Sequence, residues 1–262
     1  MIRKRIHVLV ALVIALVSGS AGRALAAAEI HKLSLVLSAN PTQISGGDFT
    51  DNLDWFNQNI LEPRGLSGFD RITYGWYYES QLRYFVKSNL ALNLGVGQIR
   101  QNTKREYLPA LRQDVQLRFE VFSVPIHAGA AYYLQPYNQG DFQARAYFGA
   151  GILSNVDSRV TYQQTESNTD STTTLRTPFV PSGGSTVLNV SRNSPGWYGE
   201  VGVHMFFASR FSVMLGGIYR SAKITELRVA EDGRPVNNLT DGKPASIDLS
   251  GVGVRLAIAI GL

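Results

Sequence analysis

The chain contains no cysteine. Disulfides, thiolate metal sites and a lipidated N-terminal cysteine are excluded together. Only 17% of residues are charged and only four are histidine. After the N-terminal region no 18 apolar residues run consecutively, so no transmembrane helix is expected. The basic excess is also thin. The formal charge is +5, but Arg3, Lys4, Arg5 and Arg23 lie in a segment expected to be removed. The 25 basic residues less these four leave 21 against 20 acidic ones, which withdraws support for nucleic-acid binding. Against these absences stand 25 glycines, 12 tyrosines and 12 phenylalanines, a composition favouring sheet over helix. The length, 262 residues, allows one large domain or two small ones.

Arg3, Lys4 and Arg5 precede an uninterrupted apolar run from Val8 to Val17. Small residues follow, with Ala24-Leu25-Ala26 as a cleavage site and Ala26-Ala27-Ala28 as a second. This is the layout of a secretory signal peptide spanning residues 1–26, with 28 as the alternative end. Ten apolar residues make a helix of about 15 Å, half of what a bilayer core needs, which argues against an anchor. Residues 27–262 remain as one domain.

That domain alternates with period two, segment after segment. Leu33, Leu35, Leu37 and Ala39 oppose Lys32, Ser34, Val36 and Ser38. Tyr74, Trp76, Tyr78, Leu82 and Tyr84 oppose Gly75, Tyr77, Glu79, Gln81 and Arg83. The last run sets Val252, Val254, Leu256, Ile258, Ile260 and Leu262 against Gly251, Gly253, Arg255, Ala257, Ala259 and Gly261. Similar runs begin near Leu90, Ser123, Ala146, Glu200 and Phe211. Alternation at 180° per residue is the strand signature, and eight segments carry it. Connections alternate between short (Lys87-Ser88-Asn89, Gln135 to Gln143, Ala208-Ser209-Arg210) and long (Gly46 to Ile72, Asn102 to Gln113, Gln163 to Gly196, Glu226 to Ala245). Outer-membrane barrels have short periplasmic turns and longer extracellular loops, so both termini are expected in the periplasm. The expected fold is all-β, an eight-stranded antiparallel up-and-down transmembrane β-barrel.

One face of each strand is bulky and apolar; the other carries Gly, Ala, Ser and occasional charges. A lipocalin-like barrel is apolar inside, whereas a membrane barrel is apolar outside, and small residues suit a crowded narrow interior. Aromatics mark the ends of the apolar face: Tyr74, Trp76 and Tyr84 on the second strand, Trp197 and Phe207 on the sixth. Ten residues at about 3.3 Å, tilted by about 40°, rise roughly 25 Å, the height between aromatic girdles. The fourth strand breaks phase. Val115, Leu117, Phe119 and Val121 fall on the face opposite to the later apolar residues. Either a β-bulge lies near Val121 and Phe122, or the upper strand projects beyond lipid. The first long loop holds a short helix, with Thr50 as cap, Leu53, Phe56 and Ile60 at helical spacing, and Pro63 after its end. Asp48, Asp51 and Asp54 are too sparse for a calcium loop, so no metal is expected.

The pattern resembles the small outer-membrane β-barrel superfamily, the OmpA/OmpX-type and OmpW-like eight-stranded proteins. The resemblance is carried by Ser123-Val124-Pro125-Ile126 leading to Tyr132-Tyr133, by Arg145 to Gly151, and by Gly253 to Leu262. It implies placement in the bacterial outer membrane, with outer-membrane lipids, lipopolysaccharide and the outer-membrane assembly machinery as partners and no cofactor. Members usually end in an aromatic residue; here Leu262 stands. Some eight-stranded relatives modify lipid A, but the His-x-Ser spacing expected of deacylases is absent. No enzyme is expected. His127 and His204 sit on the small-residue face, as do Glu79, Arg83, Glu200, Arg220 and Arg255. Isolated charges in a narrow lumen are costly, so a salt-bridge network is expected, Glu79 near Arg255 and Glu200 near Arg220. A structural or surface-interaction role through the loops, with an extracellular ligand, is the leading reading. An OmpW-like narrow channel is the alternative, and a lipid-modifying enzyme the third. The sequence leaves open whether the lumen is plugged and whether the loop helix caps or enters the barrel.

Overall fold

Every alternating segment folds as a strand. The computed structural model describes residues 31–71, 73–107, 114–139, 142–167, 186–190, 194–207, 210–229, 232–238 and 241–262. The expected signal peptide lies outside the described residues. Eight strands form the wall: β1 (Leu33–Gln43), β2 (Tyr74–Lys87), β3 (Leu90–Tyr107), β4 (Asp114–Tyr133), β5 (Phe142–Ser167), β6 (Ser194–Phe206), β7 (Phe211–Ile224) and β8 (Gly251–Gly261). Each is antiparallel to the next. β8 then pairs with β1, Leu35 opposite Ile260 and Leu37 opposite Ile258, so the sheet closes. Closure pairs the backbone groups that an open edge would expose to lipid. Among the described residues no helix is long and apolar enough to cross a membrane.

The period-two pattern places side chains as the closed sheet requires. In β2, Tyr77, Glu79, Gln81, Arg83 and Phe85 are buried and point inward, while Tyr74, Trp76, Tyr78, Leu82 and Tyr84 are exposed on the outside. β8 alternates in the same way, with Arg255, Ala257 and Ala259 buried and Val254, Leu256 and Ile258 exposed. The outer wall is thus apolar and the inner wall small or polar.

Two connections are shorter than the sequence spacing suggests. β3 runs on to Tyr107 and β4 starts at Asp114, so Asn102 to Tyr107 is strand paired with Val115 to Glu120 rather than loop. β5 runs for 26 residues, and Thr186–Val190 pairs with its upper part. The phase break in β4 is resolved by the same projection. β3 and β4 keep one register through Val121 and Phe122, so no bulge lies there. Phe119, Val121, Ser123 and His127 all face inward. The strand does not change phase; the interior it faces changes from polar to apolar. The bulge is on the neighbouring strand, where Val156 is extra between Asn155, opposite Pro125, and Asp157, opposite Val124.

The apolar upper interior exists because the first loop folds onto it. Helix α1 spans Asp48–Phe56 and continues as a π-turn, Asn57–Leu61, and a 3-10 turn, Glu62–Arg64. Thr50 lies inside the helix and does not cap it. The N-cap is Gly47, at φ 60°, and a bridge from Gly46 to Asp248 sets where the helix starts. Pro63 falls within the 3-10 turn rather than after the helix. Phe49, Leu53, Phe56 and Leu61 are buried together with Phe69 and with Ile99, Phe119, Val121 and Val160 of the wall. Phe119 meets Phe69 edge-on at 4.9 Å and Phe49 at 6.0 Å. Helix α1 caps the barrel mouth.

Candidate functional site

Inward positions of three strands converge at mid-height. Arg255 of β8 donates from Nη2 to Glu79 Oε1 of β2 at 2.8 Å and from Nη1 to Glu200 Oε2 of β6. Arg83 of β2 donates from Nη2 to Glu200 Oε1 at 2.9 Å. Gln81 Oε1 also accepts from Arg255. These side chains are at most 1% exposed, so each charge depends on its partners in place of water. The geometry needs room at the facing wall. A Cβ on Gly149 would lie 2.9 Å from Glu200 Oε1 and from the Ala130 carbonyl oxygen, which explains a glycine there.

The expected Glu200–Arg220 pair does not form. In the β6–β7 register Tyr198 is opposite Arg220, while Glu200 is opposite Ile218, one inward step nearer the short turns. Glu200 is taken by Arg83 and Arg255 instead. Arg220 donates from Nη2 to Thr42 Oγ1 at 3.1 Å, with its guanidinium 4.0 Å from the centre of the Tyr77 ring. His127 lies between the two groups, its Nε2 3.4 Å from Glu79 Oε1 and its ring edge-on to Tyr198.

Below the charges, toward the short turns, the lumen is aromatic. The Tyr133 hydroxyl accepts from Arg83 Nη1 at 2.6 Å and contacts His204 Nδ1 at 3.1 Å. His204 Nε2 reaches Ser212 Oγ at 2.7 Å. This is a serine–histidine pair, but it is enclosed: His204 is fully buried and packs on Phe206. Arg145 closes the end, stacked over Tyr133 at 5.2 Å and donating to the Ser88 and Leu134 carbonyls. Above the charges a small cavity is lined by Tyr77, Glu79, His127, Leu153, Tyr198 and Arg220.

Arg145, Tyr133, Tyr147 and Gln81 belong to this interior although the sequence reading did not single them out. Their parity was available: Arg145 and Tyr147 share a face with Gly149, and Tyr133 shares one with His127. What parity lacks is height and depth, so it does not say which inward residues meet.

The outer surface has its own order. Tyr74, Trp76 and Trp197 are exposed at the loop end, and Tyr84 and Phe207 at the short-turn end. Trp197 packs on Tyr219 at 5.2 Å. Across β2 to β5, Trp76, Arg100, Phe122 and Arg159 occupy one outward row. Glu120 pairs with both Arg100, at 2.7 Å, and Arg118, at 2.9 Å; Asp157 pairs with Arg159. On β3, Leu90 to Arg100 rises roughly 25 Å at a tilt of about 40°, so this basic row tops the apolar band. Asp48, Asp51 and Asp54 do not converge. Asp48 accepts from the Ser246 amide and hydroxyl, and Asp54 pairs with Arg71 at 2.8 Å, whose guanidinium is held above its ordinary pKa by that carboxylate. Among the described residues no acidic or histidine group forms a metal site.

Residues 11–254 match the outer membrane protein beta-barrel domain. The chain belongs to that family. Membership places the barrel in the bacterial outer membrane, and the rule for such barrels puts the short turns in the periplasm and the long loops outside. Among solved structures it is similar to Neisserial surface protein A (NspA), at 11% identity over 88% of this chain and 97% of that one, TM-score 0.41. It is also similar to the N-terminal β-barrel domain of Pseudomonas aeruginosa OprF, at 10% identity over 88% and 97%, TM-score 0.38. A third is Ail, the attachment invasion locus protein of Yersinia pestis, in complex with the heparin analogue sucrose octasulfate, at 10% identity over 88% and 98%, TM-score 0.37. No curated protein matches the chain in sequence.

Proposed function

We propose that this family member is a non-conducting barrel with a structural and surface-interaction role, exercised through its extracellular loops. The filled lumen carries the reading. The α1 cap, the Glu79–Arg255–Glu200–Arg83 layer and the Tyr133–Tyr147–His204 layer occupy it in succession. An eight-stranded barrel has an interior that side chains just fill. The enclosure of Ser212 and His204 supports a non-enzymatic role, since a substrate carbonyl has no path to the hydroxyl. The long β3–β4 hairpin and β5 extend beyond the row at Arg100, presenting surface outside the membrane for an extracellular ligand.

The aromatic residues at both ends of the apolar wall act as girdles, and the arginine row above them faces phosphorylated lipid headgroups, lipopolysaccharide among them. A signal peptide removed after residue 26 or 28 delivers the chain, and the assembly machinery inserts it. A planar-bilayer recording tests the main claim. The purified barrel gives no steady conductance, and neither does a variant with residues 48–64 replaced by a glycine-serine linker, because the charge layer still blocks the path. Large, steady conductance from the unaltered protein supports the narrow-channel alternative and overturns this reading.

A further inference from the structure

The buried charges of the lumen do not balance. Two carboxylates, Glu79 and Glu200, stand against the guanidiniums of Arg83, Arg220 and Arg255, all buried. A fourth buried arginine, Arg145, is solvated by backbone carbonyls at the periplasmic end and takes no carboxylate. Among the residues whose side chains are described, the other acids are not buried. However the charge is shared, the three inner guanidiniums and two carboxylates sum to +1. A histidine or lysine in such a place would shed the excess by losing its proton. Arginine does not deprotonate in proteins, so the positive charge stays and is met either by neutral acceptors, as at Arg145, or by an anion.

The excess sits at Arg220. Glu79 is engaged by Arg255, and Glu200 by Arg83 and Arg255. Arg220 is 3% exposed. It has the Thr42 hydroxyl and the Tyr77 ring, and its Nε and Nη1 hydrogens reach no acceptor among the described residues. The same guanidinium lines a small cavity of about 10 Å³. That is room for one monatomic or water-sized species. Leu153 and Ile218 wall it on the apolar side, and with Tyr77 and Tyr198 they belong to the same buried apolar cluster as the α1 side chains. A small volume, a guanidinium with two unused donors and the net positive charge of the lumen together favour a small anionic occupant.

We propose that the cavity beside Arg220 binds one small monovalent inorganic anion, chloride in the cell, trapped as the barrel folds and completing the charge balance of the lumen. The anion accepts from Arg220 Nε and Nη1. Glu79 also lines the cavity, and its Oε1 is taken by Arg255 and faces His127. The site is structural, and it does not depend on what the loops bind.

The test refolds the full mature barrel from urea in sodium bromide and desalts it into gluconate, an anion too large for the cavity. Bound bromide is then counted by elemental analysis, and crystals are measured at the bromine absorption edge. The expected result is one retained bromide per barrel, with an anomalous peak beside Arg220 and loss of the bromide in Arg220→Met. Leu153→Phe, which fills the cavity and leaves the arginine in place, also loses it and keeps the test decisive if Arg220→Met does not fold. The urea midpoint of the unaltered protein is higher after refolding in chloride than in gluconate at equal ionic strength, and this difference disappears in either variant. Absence of bromide from the folded, unaltered barrel overturns the proposal in favour of water. Equal retention by a folded Arg220→Met barrel overturns it too, because the ion then lies elsewhere.

Discussion

Replacing Glu200 by glutamine removes one negative charge from beneath two buried guanidiniums. Glu200 Oε1 receives Arg83 at 2.9 Å and Oε2 receives Arg255. At an effective dielectric near 20, one contact at that distance is worth about 6 kcal/mol before desolvation. The relief of no longer burying a carboxylate offsets much of the two contacts, and breaking a buried pair by removing one partner costs a net of about 3–5 kcal/mol. Urea unfolding in lipid vesicles, followed by the loss of the heat-modifiable gel band, reads this directly. Two comparisons isolate the mechanism. Asp54→Asn breaks a similar pair, but Arg71 there is 65% exposed, so water screens the pair and the loss is much smaller than at Glu200. The double change Glu200→Met with Arg255→Met removes one charge of each sign and costs well under the sum of the two single changes. If Glu200→Gln unfolds within about 1 kcal/mol of the unaltered protein, or the double change costs the full sum, the buried network does not hold the lumen together.

Three further outcomes are expected. Gly149→Ala puts a methyl 2.9 Å from both Glu200 and the Ala130 carbonyl and destabilises by about 1–3 kcal/mol in the same urea assay, whereas Gly217→Ala, with its nearest atom 4.0 Å away, stays within about 0.5 kcal/mol. Because the chain has no cysteine, a membrane-impermeant maleimide applied to intact cells labels Asp232→Cys in the β7–β8 loop and spares Ser88→Cys in the β2–β3 turn; the reverse pattern inverts the topology. Arg100→Gln and Arg159→Gln combined reduce co-purifying phosphorylated glycolipid, with about 1 kcal/mol lost per arginine near the lipid surface and so a fall of up to about 30-fold. Unchanged co-purification removes the arginine row from lipid recognition.

The eight strands, their order and their inward and outward faces were legible in the sequence because alternation at period two is local. Whichever strand neighbours Glu79, its side chain points opposite to Tyr78. The same parity marked Arg83, Glu200, Arg220, Arg255, His127 and His204 as inward. It did not say which of them touch. Arg255 reaches Glu79 because closure sets β8 beside β1 and one strand from β2, and Glu200 reaches Arg83 across the lumen from β6. Arg220 misses Glu200 because the β6–β7 register places it one step higher. The phase break at Phe119 and Val121 was visible in the sequence, but not its cause, since α1 lies more than fifty residues earlier in the chain and meets them only in the fold. The sequence by itself therefore determined a closed, outward-apolar barrel of eight strands. Only the tertiary structure decided that its lumen is plugged, which charges pair and that Arg220 is left over, because those depend on shear and closure, which bring distant strands to one height.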